Sequence, residues 1–144
     1  MGKIIETDEE IVKMVESEFV KTGLDQYGLN LKVMSLKKAK DVIKVSRASA
    51  ATEFLAKKED IIQVFIYEDA FNMLDEKTQR FMIEFAMSGV SYDSEKDKII
   101  IESNPFQYLF NMRKVYGGEA DNMLESSYLA ISQLNDKDKQ QSTE

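Results

Sequence analysis

The chain has 144 residues, of which 43% are hydrophobic and 10% aromatic, so we expect one domain with a hydrophobic core. It contains no cysteine and no histidine, which excludes disulfides, thiolate catalysis, histidine-based triads and the usual zinc ligands. The net charge of −7 disfavours unspecific attraction to nucleic acid. The chain has no apolar run near the roughly 20 residues that span a bilayer, and its N-terminus lacks a secretory signal, so we expect a soluble protein made in a cytoplasm.

The first element is predicted to be a helix. Thr7 and Glu10 have the spacing of a capping box, in which the hydroxyl and the carboxylate satisfy amides at the helix start. A stripe of apolar residues at helical spacing follows. Gly23 is a natural end for this helix because glycine readily adopts the left-handed conformation found there.

Three strands are predicted next. The segments LNLKVMSL (29–36) and DVIKVSRA (41–48) alternate like half-buried strands and are joined by the lysine-rich turn KKAK (37–40). Residues 48–60 are either a short helix or a mobile connection. The segment IIQVFIYE (61–68) is rich in β-branched and aromatic residues and is the clearest strand; we expect it to be exposed at an edge.

The most apolar helix of the chain is predicted between Asp75, which can cap its start, and Gly89, which can end it. Glu84 lies in its middle among Phe, Met and Ile residues. Burying this carboxylate without a partner would cost several kcal/mol. We therefore expect Glu84 to face solvent or to be hydrogen-bonded by a neighbouring strand; the alternatives are a remnant of a degenerate active site and a working catalytic acid.

The C-terminal part predicts a hairpin and two helices. Residues 91–102 have the pattern of a hairpin with a charged turn. Asn104 and Pro105 form a sharp helix start, and that helix ends at glycines 117 and 118. A last amphipathic helix precedes the polar segment 135–144, which we expect to be a solvated tail.

This order predicts a single α+β domain over residues 1–134. We expect a small, mostly antiparallel sheet of about three strands plus a hairpin, packed against about four helices.

Basic residues are concentrated in one window. Residues 32–58 contain eight basic residues against two acidic ones, so this window carries +6 and the rest of the chain −13. Lysines at a sheet edge deter edge-to-edge pairing, which is one interpretation of this zone. Another is a surface for an anionic partner, either an acidic protein or a phosphate backbone. The candidate residues are Lys37, Lys38, Lys40, Lys44 and Arg47.

Three segments of the chain, VIKVSRA (42–48), 61–90 and KIIIESNPFQYLFNMRKVYG (98–117), resemble the phage metallopeptidases, small zincin-like domains related to the SprT group. In that family a strand precedes a helix bearing H-E-x-x-H, a hairpin follows, and a third histidine opens the next helix. Two histidines four residues apart share a helix face and can bind one zinc ion, with the glutamate between them as general base.

The resemblance places Glu84 at the glutamate, Ile83 and Met87 at the two helical ligand positions, and Asn104 near the third ligand. Isoleucine has no donor atom and a thioether is a poor zinc ligand, so these are expected to be degenerate positions without metal or cofactor. An oxygen-only magnesium or calcium site is a further hypothesis.

The resemblance therefore implies a non-catalytic, phage-type protein-interaction module. Its partner is expected to be a phage virion protein, a host protein or a copy of itself. It would work in the infected cytoplasm or in the virion. The alternative is an accessory protein that binds nucleic acid through the basic window 32–58.

Overall fold

A four-stranded mixed sheet organises the computed structural model, which describes residues 4–58, 60–102 and 105–142. Its strands are β1 (Ile4–Ile5), β2 (Asn30–Leu36), β3 (Ile43–Arg47) and β4 (Ile61–Tyr67), in the spatial order β1-β2-β4-β3. Strand β4 runs parallel to β2 and antiparallel to β3. A separate hairpin pairs β5 (Val90–Asp93) with β6 (Lys98–Ile101).

The helices are α1 (Glu9–Lys21), α2 (Ala50–Ala56), α3 (Glu68–Phe71), α4 (Glu76–Met87), α5 (Pro105–Tyr116) and α6 (Glu119–Ser142). A 3-10 helix, Leu24–Tyr27, follows α1. The predicted α+β class and the predicted hairpin are confirmed. The segment predicted as a polar tail continues α6 as far as Ser142. Within the described ranges, no helix is both long and apolar enough to cross a membrane.

The starts and ends of the helices follow local chemistry. Asp75 caps α4, since its Oδ1 accepts a hydrogen bond from the Thr78 amide at 2.8 Å, as predicted. The capping box predicted at Thr7 is wrong. Asp8 caps α1 instead by accepting from the Glu10 amide, while the buried Thr7 hydroxyl accepts a hydrogen bond from Ser35 on β2.

The position of β4 differs from the prediction. It lies between β2 and β3, so the expectation of an exposed edge strand is wrong. Its side chains Ile62, Val64 and Ile66 are fully buried, because they cover the sheet face that packs against helices. The edge strands of the sheet are instead β1 and β3, and β3 carries Lys44 and Arg47 of the basic window.

The core lies between that face of the sheet and helices α1 and α4. On β3, Ile43 and Val45 point to this face because they stand opposite Ile66 and Val64 of β4. Lys44 points to the other face of the sheet, opposite Phe65. Helix α6 packs on α3, α4 and α5, and so closes the helical layer.

Candidate functional site

Helix α4 carries three of the four positions that the resemblance assigns to a degenerate metal site. Ile83 is 0% exposed and Met87 2% exposed, and both belong to the hydrophobic core. Their side chains therefore pack rather than line a cleft. Asn104 lies outside the described residues. The degenerate site accordingly stays a prediction.

The described residues include no group of three or more acidic side chains that could hold a metal ion. Histidine and cysteine, the other common ligands, are missing from the sequence itself. The hypothesis of an oxygen-only metal site stays a hypothesis.

Glu84 is half-buried and has a hydrogen-bond partner. Its Oε2 accepts a hydrogen bond from the Tyr116 hydroxyl at 2.6 Å. Tyr116 is the last residue of α5 and packs edge-to-face on Phe81 of α4, with ring centroids 5.4 Å apart. The interpretation of Glu84 as a hydrogen-bonded group fits this contact, although the partner lies on a helix and not on a strand.

The pKa of Tyr116 is raised, first because burial disfavours its charged form. The hydrogen bond to Glu84 and the charges of Glu84 and Glu18 raise this pKa further. Tyr116 consequently stays protonated at neutral pH and remains a donor to Glu84. The pair joins the end of α5 to the middle of α4, which is a structural role.

A groove lies between β3 and the C-terminal half of α4, and we call it the β3–α4 groove. It encloses about 420 Å³. One wall is formed by Asp41 and by Ile43, Lys44 and Val45 of β3. The opposite wall has three aromatic residues and consists of Phe85, Ala86, Ile101, Glu102, Tyr108 and Tyr128.

Tyr108 is fixed at this opposite wall by three contacts. Its ring meets Phe85 edge-to-face with centroids 5.6 Å apart, and its hydroxyl donates a hydrogen bond to the Glu102 carbonyl. The ring also lies directly over Gly89, where a Cβ atom would overlap it. Glycine at 89 therefore leaves room for the Tyr108 ring, while α4 itself ends at Met87 with Ser88 as its C-cap. Burial, and then the charge of Glu102, raise the pKa of Tyr108, so its hydroxyl also stays protonated at neutral pH.

The outward backbone groups of β3 border the same groove. The Tyr67 amide donates to the Val42 carbonyl at 2.9 Å and the Ala48 amide to the Ile61 carbonyl at 3.0 Å. Because bonded pairs alternate in an antiparallel ladder, the N–H and C=O groups of Ile43, Val45 and Arg47 point away from β4. We call these groups the β3 edge. Among the described strands, none pairs with β3 on this side.

The structure brings together part of the basic patch. Lys38, Lys40 and Lys44 line a depression of about 380 Å³ whose apolar lining is Leu36, Ala39 and Phe65 and whose carboxylate is Asp41. We call it the lysine depression. Lys37 is exposed outside this lining. Arg47 lies at the other end of β3, in a shallow hollow with Phe54 and Lys57.

The aromatic residues of the groove and the partner of Glu84 were not predicted from the sequence. Tyr108 and Tyr116 are eight residues apart on α5, so they lie within about a quarter turn of each other. This spacing was the available signal for an aromatic face on α5. Nothing local in the sequence links Tyr116 to Glu84, which is 32 positions away.

Comparisons of the chain with models of protein families, with curated proteins and with solved structures found no match.

Proposed function

We propose that this protein is a non-catalytic interaction module that binds an extended segment of a partner protein as an added strand along the β3 edge. The observation that carries the proposal is the position of the outward backbone groups of Ile43, Val45 and Arg47 beside the β3–α4 groove. Main-chain pairing supplies affinity in this mode of binding, and pockets for alternate side chains supply specificity. Neither contribution needs a metal ion.

The composition of the chain supports a non-catalytic role. Without histidine or cysteine, the chain lacks the residues that most often act as base, nucleophile or zinc ligand. The carboxylate at the position of the family's general base, Glu84, is engaged by Tyr116. These features support the proposal of a peptidase-like fold that binds a peptide without cleaving it.

The kind of partner follows from the resemblance to phage metallopeptidases. Apart from the short helix α3 between β4 and α4, strand β4, helix α4, the β5–β6 hairpin and helix α5 occur in the order that the resemblance implies, which supports this assignment. The partner is then a phage virion protein, a host protein or a second copy of the chain. The protein would act in the cytoplasm of the infected cell or within the virion.

The proposal is tested by titrating the ¹⁵N-labelled protein with a library of peptides of about eight residues, a typical strand length. Binding as an added strand should slow amide exchange at Ile43, Val45 and Arg47, whose N–H groups gain acceptors. A library in which alternate peptide nitrogens are methylated provides the control, because it cannot donate hydrogen bonds along one edge.

A pair of variants at Val45 separates backbone from side-chain effects. Val45→Pro removes an outward N–H without breaking the ladder to β4, a placement that edge strands tolerate. Val45→Ala keeps the N–H and shortens the side chain. We expect Val45→Pro to weaken binding about tenfold or more, since it removes a hydrogen bond and adds a clash, and Val45→Ala to weaken it less. Equal binding by Val45→Pro and the parent protein would refute strand addition.

One observation favours the second candidate function, an accessory protein that binds nucleic acid. Lys38, Lys40 and Lys44 lie together around one depression, which concentrates positive charge on an otherwise acidic protein. Binding to phosphates would weaken steeply as salt rises. Fluorescence anisotropy with labelled single- and double-stranded DNA over a salt series tests this function, and no binding at low salt would eliminate it.

A further inference from the structure

Two depressions with different chemistry meet at β3, and they lie on opposite faces of the sheet. The β3–α4 groove lies on the helix-covered face, to which Ile43 and Val45 point. The lysine depression includes Phe65 and Lys44, which point to the other face. Asp41 and Lys44 line both depressions, so the two are adjacent.

A strand added at the β3 edge would reach both depressions. Successive side chains of a strand point to opposite faces of its sheet. One residue of the added strand would therefore enter the groove and the next would lie over the lysine depression. The two depressions thus contact alternate residues of the bound segment.

The groove favours apolar side chains. Its wall contains Phe85, Tyr108 and Tyr128, which offer aromatic surface to a large apolar residue. The charged residues of the same lining are Asp41, Glu102 and Lys44. The groove therefore has no excess of positive charge that would attract an acidic residue of the partner.

The lysine depression favours acidic side chains. Leu36, Ala39 and Phe65 form apolar surface for the methylene groups of an entering residue, and the exposed Lys40 and Lys44 supply positive charge for its carboxylate. The single carboxylate of this lining, Asp41, is outnumbered by the lysines.

We infer that the partner segment alternates apolar and acidic residues, with the apolar side chains in the β3–α4 groove and the acidic ones over Lys40 and Lys44. This inference rests on the proposed function, because it assumes a strand at the β3 edge. It names the partner by chemistry: an extended, acidic, amphipathic peptide segment of another protein.

Three matched peptide sets test the inference. All have large apolar residues at alternate positions, and the positions between them are Glu in the first set, Gln in the second and Lys in the third. We expect the Glu set to bind roughly 2- to 30-fold more tightly than the Gln set, as two exposed ion pairs would provide, and the Lys set to bind most weakly. Affinities are measured by NMR titration, with amide exchange at Ile43, Val45 and Arg47 reporting the place of binding.

A charge-reversal variant provides the decisive comparison. In Lys40→Glu/Lys44→Glu the order of the sets should reverse, with the Lys set now binding most tightly. The control Lys13→Glu/Lys96→Glu changes the net charge equally at exposed sites outside both linings and should keep the original order.

The outcomes distinguish the two proposals. If peptides protect the β3 edge but the Glu and Gln sets bind equally, or if the order survives the Lys40/Lys44 reversal, the inference about acidic residues is overturned and strand addition stands. If no set protects the β3 edge, both proposals are overturned.

Discussion

Replacing Tyr116 by phenylalanine removes the hydroxyl that donates to Glu84 and keeps the ring that packs on Phe81. A hydrogen bond to a charged group contributes about 1.5–3 kcal/mol to stability. Because Glu84 and Tyr116 are both half-buried, water can partly replace the bond, and we expect a loss of about 1–2 kcal/mol. The entropy of unfolding for a chain of this length is roughly 0.3 kcal/mol per kelvin, so the melting temperature should fall by about 3–7 °C.

The measurement is thermal and urea unfolding of Tyr116→Phe beside the parent protein. Tyr27→Phe is the matched control, since Tyr27 is about half exposed and keeps its stacking on Tyr92 in this variant. A surface change of this kind should alter stability by less than about 0.5 kcal/mol. A double-mutant cycle with Glu84→Ala should give a coupling energy of about 1 kcal/mol. The structural role of the pair would be refuted if the stability losses of the two single variants were additive, or if Tyr116→Phe had the same melting temperature as the parent protein.

Three further predictions concern pH, the core and a helix cap. The raised pKa of Tyr116 means that the folded state holds this proton more tightly than the unfolded state, so its contribution to stability is complete below pH 10.0, the ordinary tyrosine value, and is lost as pH rises above it. Between neutral and alkaline pH, the free energy of unfolding should therefore fall less for Tyr116→Phe than for the parent protein. An equal fall in both proteins would contradict this prediction. Ile83→Ala should cost about 2–5 kcal/mol in urea unfolding because Ile83 is fully enclosed, whereas a loss below about 1 kcal/mol would indicate a side chain facing an open cleft. Asp75→Ala should destabilise the protein by about 0.5–2 kcal/mol through loss of the α4 cap, with Asp75→Asn, which can still accept the Thr78 amide, as the control that retains most of the stability.

Chemistry within a few residues was readable from the sequence. The cap at Asp75, the turn at Gly23 and the strand at residues 61–67 were predicted because each depends on neighbouring residues and on side-chain periodicity. The cap of α1 was misassigned because Thr7 and Asp8 are both good caps. The hydroxyl of Thr7 is occupied by Ser35, a residue 28 positions away that no local pattern reveals.

The order of the strands was not readable in the same way. Alternation tells which face of a strand is buried but not which strand lies beside it. The segment IIQVFIY is nearly continuous in apolar residues, and such a run is typical of a strand that is covered on both faces. That signal favours the central position that β4 occupies over the predicted exposed edge.

The sequence alone determined the α+β class, most helix ends, and the lack of imidazole and thiol groups, because these depend on residue types and short-range spacing. The tertiary structure decided that β3 forms an edge of the sheet, that Tyr116 meets Glu84, and that Tyr108 and Tyr128 face β3 across one groove. These arrangements join residues far apart in the chain. They arise from the packing of helices on the sheet, and that packing is set by the whole core at once.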